Sequence, residues 1–326
     1  MLHRSSRPRP AGLRPRLGLQ SVGWIVSALL VGAVVWWALR QPAPELPTAP
    51  SDLAALAGAI ALYAAVTLVR GERWRLLLED SDASVGRTDA WCLTVVGYAG
   101  NNVLPARGGD VMRVVLGAAQ GNTSRRAVVG TLVAERLLDV VILAAIFLVL
   151  ALTIAGGAGL PSGRTLAILL AAGAGVLLAA GGVVAWLVRR GAWQRVKAFL
   201  VPMAASTRSL RGRHGGRMLG LTIVIWAIEA AVWGTVGASA NLGMGPLDAL
   251  YLVSLASMFS LIPSGPGYAG TQDAAALIGV RAIGGSSAIA VTYLILVRFV
   301  LLVPITLAGL LLLATRYGGL TRWRTA

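Results

Sequence analysis

Cysteine is almost missing from this chain of 326 residues. The single Cys92 cannot form an intramolecular disulfide, and its apolar neighbourhood reads as packing. Histidine is nearly as scarce. His3 and His214 both sit in basic segments, so no histidine metal site is expected and no metal or other cofactor is called for. Acidic residues number 13 against 29 Lys and Arg, and charged residues of both signs make up only 13% of the chain. No polar stretch is long enough for a sizeable soluble catalytic domain within these residues. What the chain has instead is grease: 56% of its residues are hydrophobic, gathered in long runs. That is the composition of a polytopic, all-α membrane protein.

A formal net charge of +16 could point to nucleic acid, but the distribution of the charge points elsewhere. The basic residues lie between apolar runs, alternating in density as a membrane topology requires. Five Arg precede the first run. Arg70, Arg73, Arg75 and Arg87 follow the second run, and Arg125 and Arg126 open the long later one, on the same side. Eight basic residues and no acid fill the loop 189–217, and Arg316, Arg322 and Arg324 end the chain. Only Arg40, Arg164 and Arg281 fall on the other side. The positive-inside rule then places both termini in the cytoplasm of a bacterial-type plasma (inner) membrane. The loop 189–217 is expected to lie against anionic lipid rather than nucleic acid.

The run Leu19–Leu39 carries no charge over 21 residues, longer than a secretory signal core, and reads as an uncleaved first transmembrane helix. Leu53–Val69 is a second span. An arm from Ala90 to Leu104 leads into Gly100-Asn101-Asn102-Val103-Leu104-Pro105-Ala106-Arg107-Gly108-Gly109-Asp110-Val111-Met112-Arg113, where Pro and Gly must break a helix. A short helix to about Ala119 and a long span from Arg125 to about Ile154 follow. After Gly156–Gly163 come the spans Thr165–Val188 and Met218–Asn241. A second arm, Ala249–Ile262, meets a second breaker cluster, Pro263 to Asp273, with a short arm to Val280 and a final span Ser286–Leu313.

The expected architecture is about six full transmembrane helices plus two re-entrant helical hairpins. It divides into a basic cytoplasmic segment 1–18, a first membrane half 19–155, a second half 156–315 and a cytoplasmic tail 316–326. Each half reads span, span, hairpin, span, from opposite faces of the membrane. The tips share a pattern, Asn102-Val-Leu-Pro105 and Ser260-Leu-Ile-Pro263. Inverted repeats with paired broken helices are the design of many secondary transporters.

Ionisable residues at membrane depth are costly and mark either structural ion pairs or a pathway. Glu135, Arg136 and Asp139 lie roughly 14 Å into their span at helical rise, with Glu135 and Asp139 on one face and Arg136 able to pair with Asp139. Glu229 and Arg298 fall near the midplane and could pair with each other. Arg107, Asp110, Arg113 and Asp273 sit at the hairpin tips. Taken together with Asn101, Asn102 and Gly267, these residues are the candidate lining of a polar cavity. Each tip opens a short helix whose free amides favour an anion, and Arg107 and Arg113 flank the first of them. Arg grips phosphate with two parallel hydrogen bonds, so a lipid phosphate head group is the expected ligand. Asp110 has a plainer role as a first-turn cap. The acids either balance the Arg residues or carry protons.

No nucleophile, metal-ligand or nucleotide-binding pattern emerges, so the chain is not expected to be an enzyme. The motifs Asn102-Val-Leu-Pro105-Ala-Arg107-Gly-Gly-Asp110-Val-Met-Arg113, Glu135-Arg136-Leu-Leu-Asp139 and Ile262-Pro263-Ser-Gly-Pro-Gly267-Tyr-Ala-Gly270 resemble, in order, the membrane region of lysylphosphatidylglycerol synthase/flippase. In two-part members of that family a separate soluble domain transfers lysine from charged tRNA to phosphatidylglycerol, and the membrane part translocates the lipid. This sequence shows no such domain, so the resemblance does not imply aminoacyl transfer; it implies lipid translocation or a related lipid-handling role. Asp110 stands where many relatives have Glu, which keeps the charge.

The leading expectation is flippase-like transport of an anionic phospholipid or lipid-linked phosphate, with a membrane lipid as partner and no nucleic acid. A second copy of the chain and a separate lipid-modifying enzyme are further partners this reading admits. The alternative is a membrane-embedded transferase or accessory subunit in polyprenyl-phosphate, hopanoid or glycolipid synthesis. A third reading is an assembly factor that transports nothing.

Overall fold

The computed structural model describes residues 46–81, 83–104, 107–155, 212–260 and 265–318, with scattered positions between 29 and 44. The expected spans Leu19–Leu39 and Thr165–Val188 lie outside this set, wholly or for the most part. So do Pro105, Pro263, most of the basic loop and the last residues of the tail. The described residues are helical and contain no strand. The helices are α1 Pro50–Glu79, α2 Arg87–Val103, α3 Gly108–Gln120, α4 Arg125–Ala155, α5 Gly212–Ser239, α6 Pro246–Phe259, α7 Thr271–Ala282 and α8 Ser287–Arg316, with a 3₁₀ turn at Pro266–Tyr268.

Local chemistry sets most of these boundaries. Pro50 and Pro246 stand at the first helical position of α1 and α6, where the missing amide costs nothing. Asp248 and Asp273, each three residues past the cap, accept the Gly245 and Gly270 amides at 2.8 Å. Ser286 accepts the Ile289 amide at the start of α8. α2 stops because Leu104 precedes Pro105 and is held extended at φ −95°, ψ 144°.

Among the described residues three helices, Pro50–Glu79, Arg213–Ser239 and Ser287–Arg316, are long and apolar enough to cross a membrane. This is a multi-pass membrane protein. Large apolar side chains such as Ile223 and Val224 on α5, and Phe299, Leu307, Leu310 and Leu311 on α8, are exposed where lipid would cover them. Two helices extend beyond their expected ends. α1 runs ten residues past Val69, and α5 begins six residues before Met218.

α2 and α3 form an antiparallel pair held at close range by glycine. A Cβ on Gly109 would lie 1.8 Å from the Gly97 carbonyl oxygen, so only hydrogen permits this approach. α6 and α7 form a second pair. α8 serves both, resting Gly309 on Ala99 and Val95 of α2. Two cores result. One surrounds Trp74, Leu93, Met112 and Val128 from the first four helices; the other surrounds Trp233, Leu252, Tyr293 and Val300 from α5, α6 and α8.

Candidate functional site

The tips of the two short-helix pairs meet. Arg107, just before α3, adopts the left-handed conformation (φ 57°, ψ 42°), which is uncommon for a residue with a side chain. From there its Nη2 donates to the Ser260 carbonyl at 3.0 Å, at the end of α6. Its guanidinium also stands 5.3 Å from the centre of the Tyr268 ring, in the turn that leads to α7. That turn needs glycine. Gly267 and Gly270 have φ of 62° and 87°, and a Cβ on Gly267 would press 3.2 Å from Leu302 Cδ2.

Beside this junction lies a cavity of about 120 Å³. α1 contributes Tyr63 and Arg70, α2 contributes Tyr98 and Asn102, and α4 contributes Arg136 and Asp139. Trp226, Trp233 and Glu229 come from one face of α5, with Ser257, Ser260, Gly267, Tyr268 and Gln272 from the second tip. Leu143, Leu301 and Leu302 complete an apolar side.

The charges around the cavity are unevenly matched. Glu229 pairs with Arg70 at 2.5 Å. Asp139 receives Arg73 on both oxygens, at 2.8 and 3.3 Å, and has Arg136 only at 3.6 Å. The Arg136 side chain is 38% exposed, against 1% for Arg73. Arg107 has no carboxylate within 4 Å among the described residues. The cavity therefore presents two guanidinium groups, Arg107 and Arg136, that no nearby carboxylate neutralises at hydrogen-bond distance.

Six of the sequence-derived candidates line the cavity: Asn102, Arg107, Arg136, Asp139, Glu229 and Gly267. The other six stand behind it. Arg113 binds Glu135 at 2.9 Å and lies 4.2 Å over the Trp74 ring; Arg73 approaches Glu135 at 3.7 Å. With Asp139 and Thr222, which accepts from Arg73 at 2.9 Å, these residues form a buried ionic bolt joining α1, α3, α4 and α5. Asn101 accepts the Asp110 amide and donates to its carboxylate, both at 3.2 Å, so the cap of α3 comes from the neighbouring helix. Asp273 holds Arg298, which also donates to the Gly267 carbonyl at 2.5 Å and so clasps the second tip. Glu229 and Arg298 do not pair with each other; each has a different partner.

Arg70 and Tyr63 were not among the sequence candidates, nor were Tyr98, Tyr268 and Gln272. One signal for Arg70 was there: Arg70 and Arg73 are three apart, on one face of a helix if the helix continues past Val69. Among the described residues no cluster of three His, Cys, Asp or Glu could hold a metal ion.

The family model described as the lysylphosphatidylglycerol synthase TM region matches residues 24–309. No curated protein and no solved structure matches the chain.

Proposed function

The chain belongs to the lysylphosphatidylglycerol synthase transmembrane-region family, and from that premise we propose that it translocates an anionic lipid, binding the phosphate head group between the two hairpin tips. The observation that carries this reading is the pair Arg107 and Arg136, facing a half-open cavity with donor capacity left over. A phosphodiester can accept from both, and guanidinium is the group best shaped to grip it. A volume near 120 Å³ is well below the roughly 300–1,000 Å³ that encloses a drug-sized ligand, so it suits a head group whose acyl chains stay in the bilayer. The apolar side at Leu143, Leu301 and Leu302 gives those chains a compatible wall.

In this proposal α2–α3 and α6–α7 are re-entrant hairpins from opposite faces of an inner membrane, within two inverted halves and about six full spans. Three features support that symmetry. Each tip has a side-chain-bearing residue at φ 57°, Arg107 or Tyr268. Each is followed by a short helix with an acid in its first turn, Asp110 or Asp273. Each of those acids is held by a neighbouring helix. Both termini are cytoplasmic, the cycle is alternating access around the tips, and no covalent step is assigned.

The test is leaflet exchange of a labelled anionic phospholipid in proteoliposomes. Arg107→Ala and Arg136→Ala are each expected to lower the exchange rate at least tenfold while the purified proteins keep their elution profile. Wild-type rates in both variants overturn the proposal.

A further inference from the structure

The Arg70–Glu229 pair differs in setting from every other buried ion pair described here. The Arg113–Glu135 pair lies behind the cavity wall, Arg73 reaches the wall residue Asp139 from behind it, and the Asp273–Arg298 pair is tied to the backbone of a turn. Arg70 and Glu229 both line the cavity itself, on two different membrane-spanning helices. Glu229 is 5% exposed and has Trp226 and Trp233 on the same face of α5. Arg70 is the cation that both the carboxylate and an incoming phosphate would claim.

Building on the lipid-phosphate reading above, we infer that Glu229 is a surrogate for the ligand: the lipid phosphate replaces it on Arg70, and the released carboxylate takes up one proton. The physical reason is the cost of an unpaired buried charge. A carboxylate stripped of its cation in a site walled by indole rings is far less costly as the neutral acid. Its other neighbours offer no substitute cation at contact distance. Tyr63 comes from α1, Tyr98 from α2 and Tyr268 from the second tip, all neutral phenols. Arg136 and Asp139 face it from α4 and Arg107 from the first tip; in this reading the entering phosphate claims both guanidinium groups, and Asp139 is held by Arg73. α6 contributes only Ser257 and Ser260 to the cavity. On α8, Tyr293 donates to the Trp233 carbonyl and Arg298 is taken by Asp273. The balance is simple: one phosphodiester monoanion enters, one proton follows it from solvent, and the charge of the cavity does not change. Lipid movement is thereby coupled to proton movement through one side chain.

The experiment is calorimetric titration of the detergent-purified protein with dihexanoyl phosphatidylglycerol, in two buffers of different ionisation enthalpy, between pH 6 and pH 8. The difference in apparent enthalpy counts protons. Wild-type protein is expected to take up close to one proton per lipid bound, and Glu229→Gln to bind the same lipid with none. Arg70→Ala, tested alongside, is expected to bind at least tenfold more weakly. Binding by the wild type without proton uptake overturns the inference and leaves the lipid-phosphate reading standing. Uptake that persists in Glu229→Gln also overturns it, since the proton then lands elsewhere. No binding of this lipid by folded wild-type protein removes both. A parallel titration with inorganic phosphate separates the two sources of the anion: binding of phosphate without binding of the lipid rejects the lipid as the partner.

Discussion

Arg73 and Arg107 are both arginines at membrane depth, and their surroundings give them opposite duties. Arg73 is 1% exposed, gives Nη1 and Nη2 to Asp139 with Nη1 also donating to Thr222, and stands beside Glu135. Arg73→Ala would leave Asp139 with only the distant Arg136. Stranding a buried carboxylate in this way costs on the order of 3–5 kcal/mol. The expected outcome is a clear fall in the thermal unfolding midpoint of the detergent-purified protein. Arg73→Lys should recover only part of it, because an ammonium cannot match both carboxylate oxygens. Arg107 has one hydrogen bond to a carbonyl and one ring contact, so Arg107→Ala should cost only about 1 kcal/mol while removing transport. An unfolding midpoint for Arg73→Ala equal to that of Arg107→Ala would show that the bolt and the ligand site are not distinct.

The α2–α3 pair depends on backbone meeting backbone. A methyl group on Gly109 would lie 1.8 Å from the Gly97 oxygen and 2.5 Å from the Asn101 nitrogen, and neither atom can rotate away. Gly109→Ala is expected to destabilise by at least about 1–3 kcal/mol, the usual range for overpacking, and to uncouple the Asn101 cap from α3. Gly220→Ala on α5, with nothing within 4 Å of its Cβ, should be neutral or mildly stabilising. Thermal melts of the two variants check the contrast. These elements were largely legible in the sequence. The starts of α3 and α7, the long α4 and the extent of α8 follow from breaker residues and apolar runs alone. The end of α1 was not legible, because Arg70-Gly71-Glu72-Arg73 looks like a solvated loop until its partners are known. Those partners, Glu229 and Asp139, lie on helices whose rotation about their own axes is set by tertiary packing. The same missing rotation made Glu229 and Arg298 look like a pair. The candidate site was thus readable as a list of charged residues, but not as a division into those that line the cavity and those that brace it.

At the scale of the molecule, the question is whether the two tips move apart. Arg107 ties the first tip to Ser260 and Tyr268 of the second, and Asn102 ties it to Thr306 of α8, where the amide donates to the hydroxyl at 3.0 Å. Both are single, neutral-acceptor contacts, each worth only about 1 kcal/mol net, whereas the ionic bolt and the glycine seam hold the helices that carry the tips. In the proposed alternating-access cycle these weak joints would break while the stronger supports persist. A bridge across the weak joint should therefore stop transport without unfolding anything. With Cys92→Ser removing the native thiol, Asn102→Cys combined with Thr306→Cys can be joined by a short bifunctional thiosulfonate reagent. Leaflet exchange is expected to fall to background on bridging and to return when a reductant cleaves the bridge. Either cysteine alone, treated identically, should keep most of its rate. Exchange that continues undiminished through the bridged pair would mean that the first tip stays on α8 throughout, and the lipid would then have to pass along the fixed surface of the helices rather than past a moving tip.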